Sequence, residues 1–248
     1  LFDEFDLPKY FESNKIHVAG LVIAHYTEKY SHYLANSSLG QWLKEEQIPA
    51  IYGIDTRMLT KHLTQSGSIL GRLCLSTGKS QSETELTEFN WTENFQVPEW
   101  KDPNAENLVA QVSIKEPKLY NVPSEYEVKL NPKTKKPLRV VCIDVGMKFN
   151  QIRCFLKRGV EILVVPYNYN FLEILDEFDG LFISNGPGDP SILTEVSANI
   201  NKLIAPDSKY RKIPIFGICL GHQLLARSSG ASTLKMKFGN RGHNIPCT

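Results

Sequence analysis

The sequence predicts an α/β protein in which a smaller mixed α/β unit precedes a domain built on a mainly parallel, doubly wound sheet. Three observations carry this. From residue 138 onward, apolar runs of strand length alternate with amphipathic stretches of about a dozen residues, the rhythm of β-α-β units. Upstream, residues 115–137 hold four prolines and many lysines with little periodicity. They read as an inter-domain linker, because Pro and Lys there neither extend a sheet nor bury a face. Two glycine-bearing turns, GPGDP and GICLG, close apolar runs at the strand ends where parallel sheets bind ligands. The expected division is a mixed α/β domain over 1–125, a linker over 126–137 and the parallel-sheet domain over 138–248.

Taken in order, IHVAGLVIAHY (16–26) is β-branched and apolar and reads as a buried strand. SSLGQWLKEEQ (37–47) opens with a Ser N-cap and continues with helix formers. After the short run IPAIYGI, Asp55 caps a helix through DTRMLTKHLTQSG, with Gly67 as its stop. SILGRLCLS (68–76) reads as a strand, and the polar stretch 78–107 carries no periodic element. In the second domain LRVVCIDV (138–145), VEILVVPY (160–167), GLFISN (180–185) and IPIFGI (213–218) are strands. KFNQIRCFLKRG (148–159), SILTEVSANINKLI and CLGHQLLARSSG are the intervening helices.

Composition bounds the function. The 248 residues are 42% apolar, as in a folded protein, and the formal charge is only +1, without the basic excess of a nucleic-acid or membrane-surface binder. No run of about 18 apolar residues spans a bilayer. Five cysteines at irregular spacing, with no C-x-x-C, fit neither a disulfide framework nor a zinc knuckle and point to a reducing, cytoplasmic setting.

The chemistry concentrates at Cys219. IPIFGICLGHQLLA is a strand, then Gly217-Ile218-Cys219-Leu220-Gly221, then a helix: the nucleophile-elbow pattern G-x-S-x-G with Cys in place of Ser. Small residues two before and two after the nucleophile let strand and helix backbones meet at a tight turn. The turn lifts the nucleophile above the sheet edge and sets it at a helix N-terminus, whose partial positive charge favours a thiolate. Most free cysteines are small core hydrophobes, and the flanking glycines are what separate Cys219 from that reading. The segment Ser184-Asn185-Gly186-Pro187-Gly188-Asp189-Pro190 ends the neighbouring strand. Its glycines allow outward-pointing N–H groups that, with the amide of Leu220, hold a developing oxyanion. An ordinary Gly-Pro turn is the plain alternative. A phosphate loop fits poorly, because neither G-x-G-x-x-G nor G-K-[ST] is present.

SNGPGDP, FGICLGHQLLA and LKMKFGNRGHNIP together closely resemble the class I, triad-type glutamine amidotransferases, and among them the carbamoyl phosphate synthetases. HVAGLVIAHY, GIDTRMLTKHL and GSILGRL look like the small-subunit domain found in that synthetase. Several segments look more like the eukaryotic pyrimidine-pathway form fused to its synthetase than like a separate bacterial subunit. The resemblance implies that Cys219 attacks the side-chain amide of L-glutamine to form a glutamyl thioester and release ammonia. It implies oxyanion N–H groups at Gly186 and Leu220, substrate contact at Gly188, and binding of the α-amino acid end by Gln223, one turn along the helix from Cys219.

The family's general base lies in an H-P-E motif, and none of the six histidines here sits in one. His222, three residues after Cys219 with no orienting acid following, is a poor substitute, and His243 lies near the family's site without being its base. The missing H-P-E, the missing Q-N-H-G-F segment and the missing N-terminal Ser read as truncation at both ends. Asp144 and Lys148, flanking a strand-to-helix turn, read as structural, as do Asp55, Arg57 and the tryptophans. The implied partner is a synthetase, as a large subunit or a fused domain, which carries the ATP and Mg. This portion has no cofactor or metal of its own, and neither nucleic acid nor membrane is a partner. An unrelated thiol hydrolase and a silent module that docks the synthetase are the alternatives. The first 125 residues argue against the former and the retained Cys219 against the latter.

Overall fold

A computed structural model describes residues 1–73, 99–210, 212–236 and 238–239. The chain divides into two compact units, one formed by Leu1–Asn14 with Pro103–Leu234 and the other built on Lys15–Asp102.

The unit built on Lys15–Asp102 is mixed α/β, as expected. Strands β1 (Leu21–Val22) and β2 (Ala50–Ile51) pair in parallel. The apolar run 16–26 therefore supplies only two strand residues. Pro49, lacking an N–H, cannot extend the ladder upstream, and Gly53, at φ +83°, turns the chain just after it. Helix α1 (Leu39–Glu45) starts where Gln41 N–H donates to Ser38 Oγ. Helix α2 (Thr56–Ser66) is capped by Asp55, whose Oδ1 accepts Met58 N–H at 2.9 Å, and ends at Gly67 with φ +83°. Residues 68–73 form no strand, against expectation. Cys74, Trp91, His243, Cys247 and most of the polar stretch 78–107 lie outside the described residues.

The other unit carries helix α3 (Leu108–Val112), strand β3 (Lys118–Tyr120), strand β4 (Arg139–Asp144), helix α4 (Phe149–Leu156), strand β5 (Glu161–Pro166), strand β6 (Gly180–Ile183), helix α5 (Thr194–Ile204), strand β7 (Ile215–Gly217) and helix α6 (Leu220–Ser228). The sheet order is β3-β5-β4-β6-β7, with β3 antiparallel and the other pairings parallel. Side chains alternate across each strand, so the sheet has two apolar faces. Val141, Ile143, Leu181 and Ile183 pack with Val196 and Ile200 of α5 and Leu220 and Leu224 of α6. Cys142, Ile162, Val164 and Phe182 pack with Ile152 and Leu156 of α4. Helices cover both faces, the doubly wound arrangement that the strand-helix rhythm predicted.

The stretch read as a linker is part of this unit, and the division between units falls at Asp102. Residues 118–120 are the antiparallel edge strand β3, pairing Leu119 with Leu163. Lys129 N–H donates to the Gly159 carbonyl and Leu138 N–H to that of Lys129, while the Asn131 side chain bonds to Asp179. An edge strand pairs on one side only and tolerates Lys and Pro. The composition therefore excluded a central strand and not an edge.

Residues 1–14, assigned from sequence to the first domain, instead pack on α4. Phe5 and Leu7 are buried among its apolar residues. Arg153 Nε donates to Asp3 Oδ2 at 2.6 Å and its Nη2 to the Pro8 carbonyl at 2.8 Å. Lys148, at the N-cap of α4, offers no side-chain cap. The orphan N–H groups of Phe149 and Asn150 donate instead to Glu12, at 3.1 and 2.9 Å.

Burial pushes the Asp3 carboxyl up, but the Arg153 guanidinium and the N–H groups of Leu7 and Phe5 outweigh it and hold the group below its ordinary value. Because the folded value is the lower one, this stabilisation is complete above the ordinary carboxylate value, about 3.9, and is lost as the pH falls through the folded value. Protection of the Phe5 and Leu7 amides from hydrogen exchange is expected to persist at neutral pH and to fall away below about pH 4. Asp3→Ala removes the shorter of the two ion pairs of Arg153 and leaves Glu12, at 3.9 Å, as its carboxylate partner; it is expected to cost about 1–3 kcal/mol in denaturant unfolding.

Candidate active site

The carboxyl ends of β4, β6 and β7 lie side by side, and three turns leave them. The last, from β7 into α6, is Gly217-Ile218-Cys219-Leu220-Gly221. Ile218 N–H donates to the Ile183 carbonyl at 3.1 Å, which holds the turn against the end of β6. Cys219 then takes φ +51° and ψ −108°, and α6 starts at the next residue. A non-glycine residue held in so sparsely populated a conformation costs on the order of 1–3 kcal/mol and persists only where the surroundings impose it.

The surroundings do impose it. A Cβ on Gly217 would lie 2.6 Å from the Gly221 carbonyl, and one on Gly221 would lie 2.3 Å from the Ile183 oxygen. Strand, turn and helix backbones therefore meet with no room for a side chain at either position, the close approach that the glycine spacing predicted. The Cys219 side chain projects to solvent, unlike Cys142, which is fully buried in the sheet.

The second turn, after β6, is Ser184–Pro190. A Cβ on Gly186 would fall 1.7 Å from the Val145 carbonyl oxygen and 2.9 Å from Leu220 Cδ2, so this loop lies directly against the first residue of the elbow helix. Gly188 has φ +88° and faces Leu108 of α3 across ordinary contact distance. The third turn, after β4, is held by buried Asp144. Its carboxylate accepts the N–H groups of Gly146, Met147 and Ile114 at 2.8–2.9 Å. That is a structural role, as read from the sequence. Gly146, at φ +122°, lies under Pro187 and Gly186, and its carbonyl accepts from Asn185 Nδ2 at 3.2 Å.

Of the residues singled out in the sequence, Cys219, Leu220 and Gly186 are thus brought together at one corner, with Gly188 two residues further along the loop. Leu220, first in α6, carries one of the N–H groups that a helix leaves without an internal partner, while its side chain is buried. Gln223 N–H donates to the Cys219 carbonyl at 3.0 Å, so the Gln223 side chain starts one helical turn from the sulfur and is exposed. His222 is exposed on the same helix, and among the described residues no carboxylate pairs with it. Two contributors were missed. Helix α3 buttresses the Ser184–Pro190 loop through Leu108 and the Gly146 turn through Val112, and the N-cap pattern at Asn107, ahead of LVAQV, was the available signal. Ser184 was read only as part of the motif, although it is completely buried at the junction of all three turns.

Residues 141–248 match the family model described as glutamine amidotransferase class-I, and residues 7–73 match the CPSase domain of the carbamoyl-phosphate synthase small chain. The chain carries a carbamoyl-phosphate synthase small-chain domain and a class-I glutamine amidotransferase domain. The Saccharomyces cerevisiae multifunctional protein URA2 is 60% identical over 98% of this chain and 11% of its own length. The multifunctional protein CAD of Squalus acanthias is 45% identical over 99% of this chain and 10% of its own. The arginine-specific carbamoyl phosphate synthase small chain of S. cerevisiae is 45% identical over 98% of this chain and 53% of its own. The chain thus spans about a tenth of the multifunctional relatives and about half of the separate small chain. Among the described residues no helix is long and apolar enough to cross a membrane.

Proposed function

We propose that this chain hydrolyses L-glutamine and delivers the ammonia to a carbamoyl phosphate synthetase, with Cys219 as nucleophile. The observation that carries the reading is the exposed Cys219, held at positive φ between two glycines that admit no side chain, with Gly186 packed against Leu220 beside it. The Cys219 sulfur attacks the side-chain amide carbon of glutamine, forming a C–S bond and placing negative charge on the amide oxygen. The N–H groups of Gly186 and Leu220 stabilise that charge; each such donor is worth about 10²–10³ in rate. Collapse of the intermediate breaks the C–N bond, and the nitrogen leaves as ammonia after taking the proton that the Cys219 thiol gave up. Water then cleaves the glutamyl thioester to glutamate and frees the sulfur. Gly188 lines the substrate, and Gln223 holds its α-amino acid end. His222 takes no step.

The synthetase, with its ATP and magnesium, is the partner. The multifunctional relative at 60% identity supports a fused partner of the pyrimidine-pathway type over the arginine-specific small chain at 45%. The cytoplasm is the proposed setting. The test is labelling of the natural protein by a glutamine-analogue chloroketone, followed by mass spectrometry of the cysteine peptides. Cys219 is expected to react at least tenfold faster than Cys154, which is also exposed. Cys142 is expected to stay unmodified, since burial and the nearby Asp144 push its thiol well up. Equal labelling of Cys154 and Cys219 would overturn the assignment.

A further inference from the structure

We propose that Ser184 is a positioning residue for oxyanion stabilisation, acting through the Asn185–Gly186 peptide. The inference rests on the glutamine-hydrolysis reading above and adds a residue to it. Every polar atom of Ser184 is engaged, and the side chain is completely buried. Its Oγ accepts the Val145 N–H at 3.0 Å and donates to the Asn185 carbonyl at 2.9 Å. Its N–H donates to the Ile143 carbonyl at 3.2 Å, and its carbonyl accepts the Gly221 N–H at 3.1 Å. One residue therefore ties the end of β4, the Asn185–Gly186 loop and the second residue of the elbow helix to a single point.

The geometry makes that point matter to the reaction. Gly186 lies so close to the Val145 carbonyl that no Cβ fits between them. Gly186 Cα is thus seated against the Val145 carbonyl, and the direction of the Gly186 N–H is set by the Asn185–Gly186 peptide that contains it. The Ser184 hydroxyl donates to the carbonyl of that same Asn185–Gly186 peptide, and it accepts the Val145 N–H, which lies in the Asp144–Val145 peptide just before the carbonyl that Gly186 packs on. Asn185 bonds the Gly146 carbonyl from the same loop, while its Oδ1 is buried with no partner. The Ser184 N–H and the Asn185 amide hold the loop against the end of β4, and the Ser184 hydroxyl adds the bond to the Gly186 peptide itself. Without it the Asn185 carbonyl loses this donor and the buried Val145 N–H its acceptor, and relief requires the Asn185–Gly186 peptide to rotate or a water to enter. Either shifts the Gly186 N–H relative to the sulfur, and displacements of about 1 Å in a preorganised site cost on the order of 10² in rate.

The experiment compares Ser184→Ala with the unsubstituted full-length protein in two reactions of Cys219. Glutamine hydrolysis passes through an oxyanion; alkylation by iodoacetamide is a direct displacement at carbon and does not. Expected for Ser184→Ala is a 10–100-fold loss in kcat for glutamine, about the range that misplacing one oxyanion donor produces. KM and the iodoacetamide alkylation rate of Cys219 are expected to stay within about twofold, and Ser184→Cys, which retains a weaker donor and acceptor, to fall between. A kcat within twofold of wild type would overturn the proposal. So would a parallel fall in hydrolysis and alkylation, since that marks general damage to the turn. Should Ser184→Ala not fold, Ser184→Cys decides alone: its hydrolysis must fall several-fold while alkylation holds. An unsubstituted protein that does not hydrolyse glutamine would instead defeat the functional reading itself, a result distinct from either outcome at Ser184.

Discussion

Cys219→Ser is expected to abolish glutamine hydrolysis, by a factor of about 10⁴ or more, the scale on which hydrolases lose activity when the nucleophile is removed. The hydroxyl occupies the same corner but stays protonated at neutral pH and is a weak nucleophile without an activating base. Synthesis supplied with free ammonia is expected to continue, because ammonia enters after the step that Cys219 performs. Stability should change by no more than about 0.5 kcal/mol, since the side chain is exposed and serine adopts the same positive φ at similar cost. The pair of measurements separates a lost nucleophile from a damaged fold. Retained glutaminase activity in the variant would remove Cys219 from its assigned role.

The elbow was legible because its requirements are local. A strand must end, a turn must pass through positive φ, and a helix must begin within five residues; each condition selects residue types that stand together in the chain. Gly217 and Gly221 register the close approach of backbones, so the geometry is written in their side chains' absence. The same holds for the strands of the parallel sheet, which are buried on both faces and read as unbroken apolar runs. What failed to read was non-local. Asp3 and Phe5 look like an acidic, aromatic surface segment until they meet Arg153 and Ile152, some 150 residues away. Lys118 looks like a linker residue, with Pro117 just before it, until it stands in an edge strand, where one side has no ladder to form. Ser184 is the instructive case. A buried serine and a surface turn serine are identical in sequence, and only the acceptors and donors around it distinguish them.

Gly186→Ala is the substitution that tests the corner from the side opposite Cys219. The added carbon would sit 1.7 Å from a backbone oxygen, far inside any contact that a rotamer change relieves. The Val145 carbonyl cannot yield, because Val145 is completely buried and its N–H is held by Ser184. The loop must therefore move outward, away from Leu220. That displacement is expected to cost about 1–3 kcal/mol of stability, the usual penalty for overpacking a tight site. It withdraws the Gly186 N–H from the developing charge, so kcat for glutamine is expected to fall about 10²–10³-fold. Gly188→Ala is the matched comparison. There the nearest atoms lie 3.7 Å away in the Leu108 side chain, and the cost comes from φ +88°, about 1–2 kcal/mol of backbone strain without forced displacement. If stability alone governed activity, the two variants would lose comparable rate. A loss at Gly186 at least tenfold greater than at Gly188 is the result that assigns the charge-stabilising N–H to Gly186, and similar losses at both would place it elsewhere on the loop.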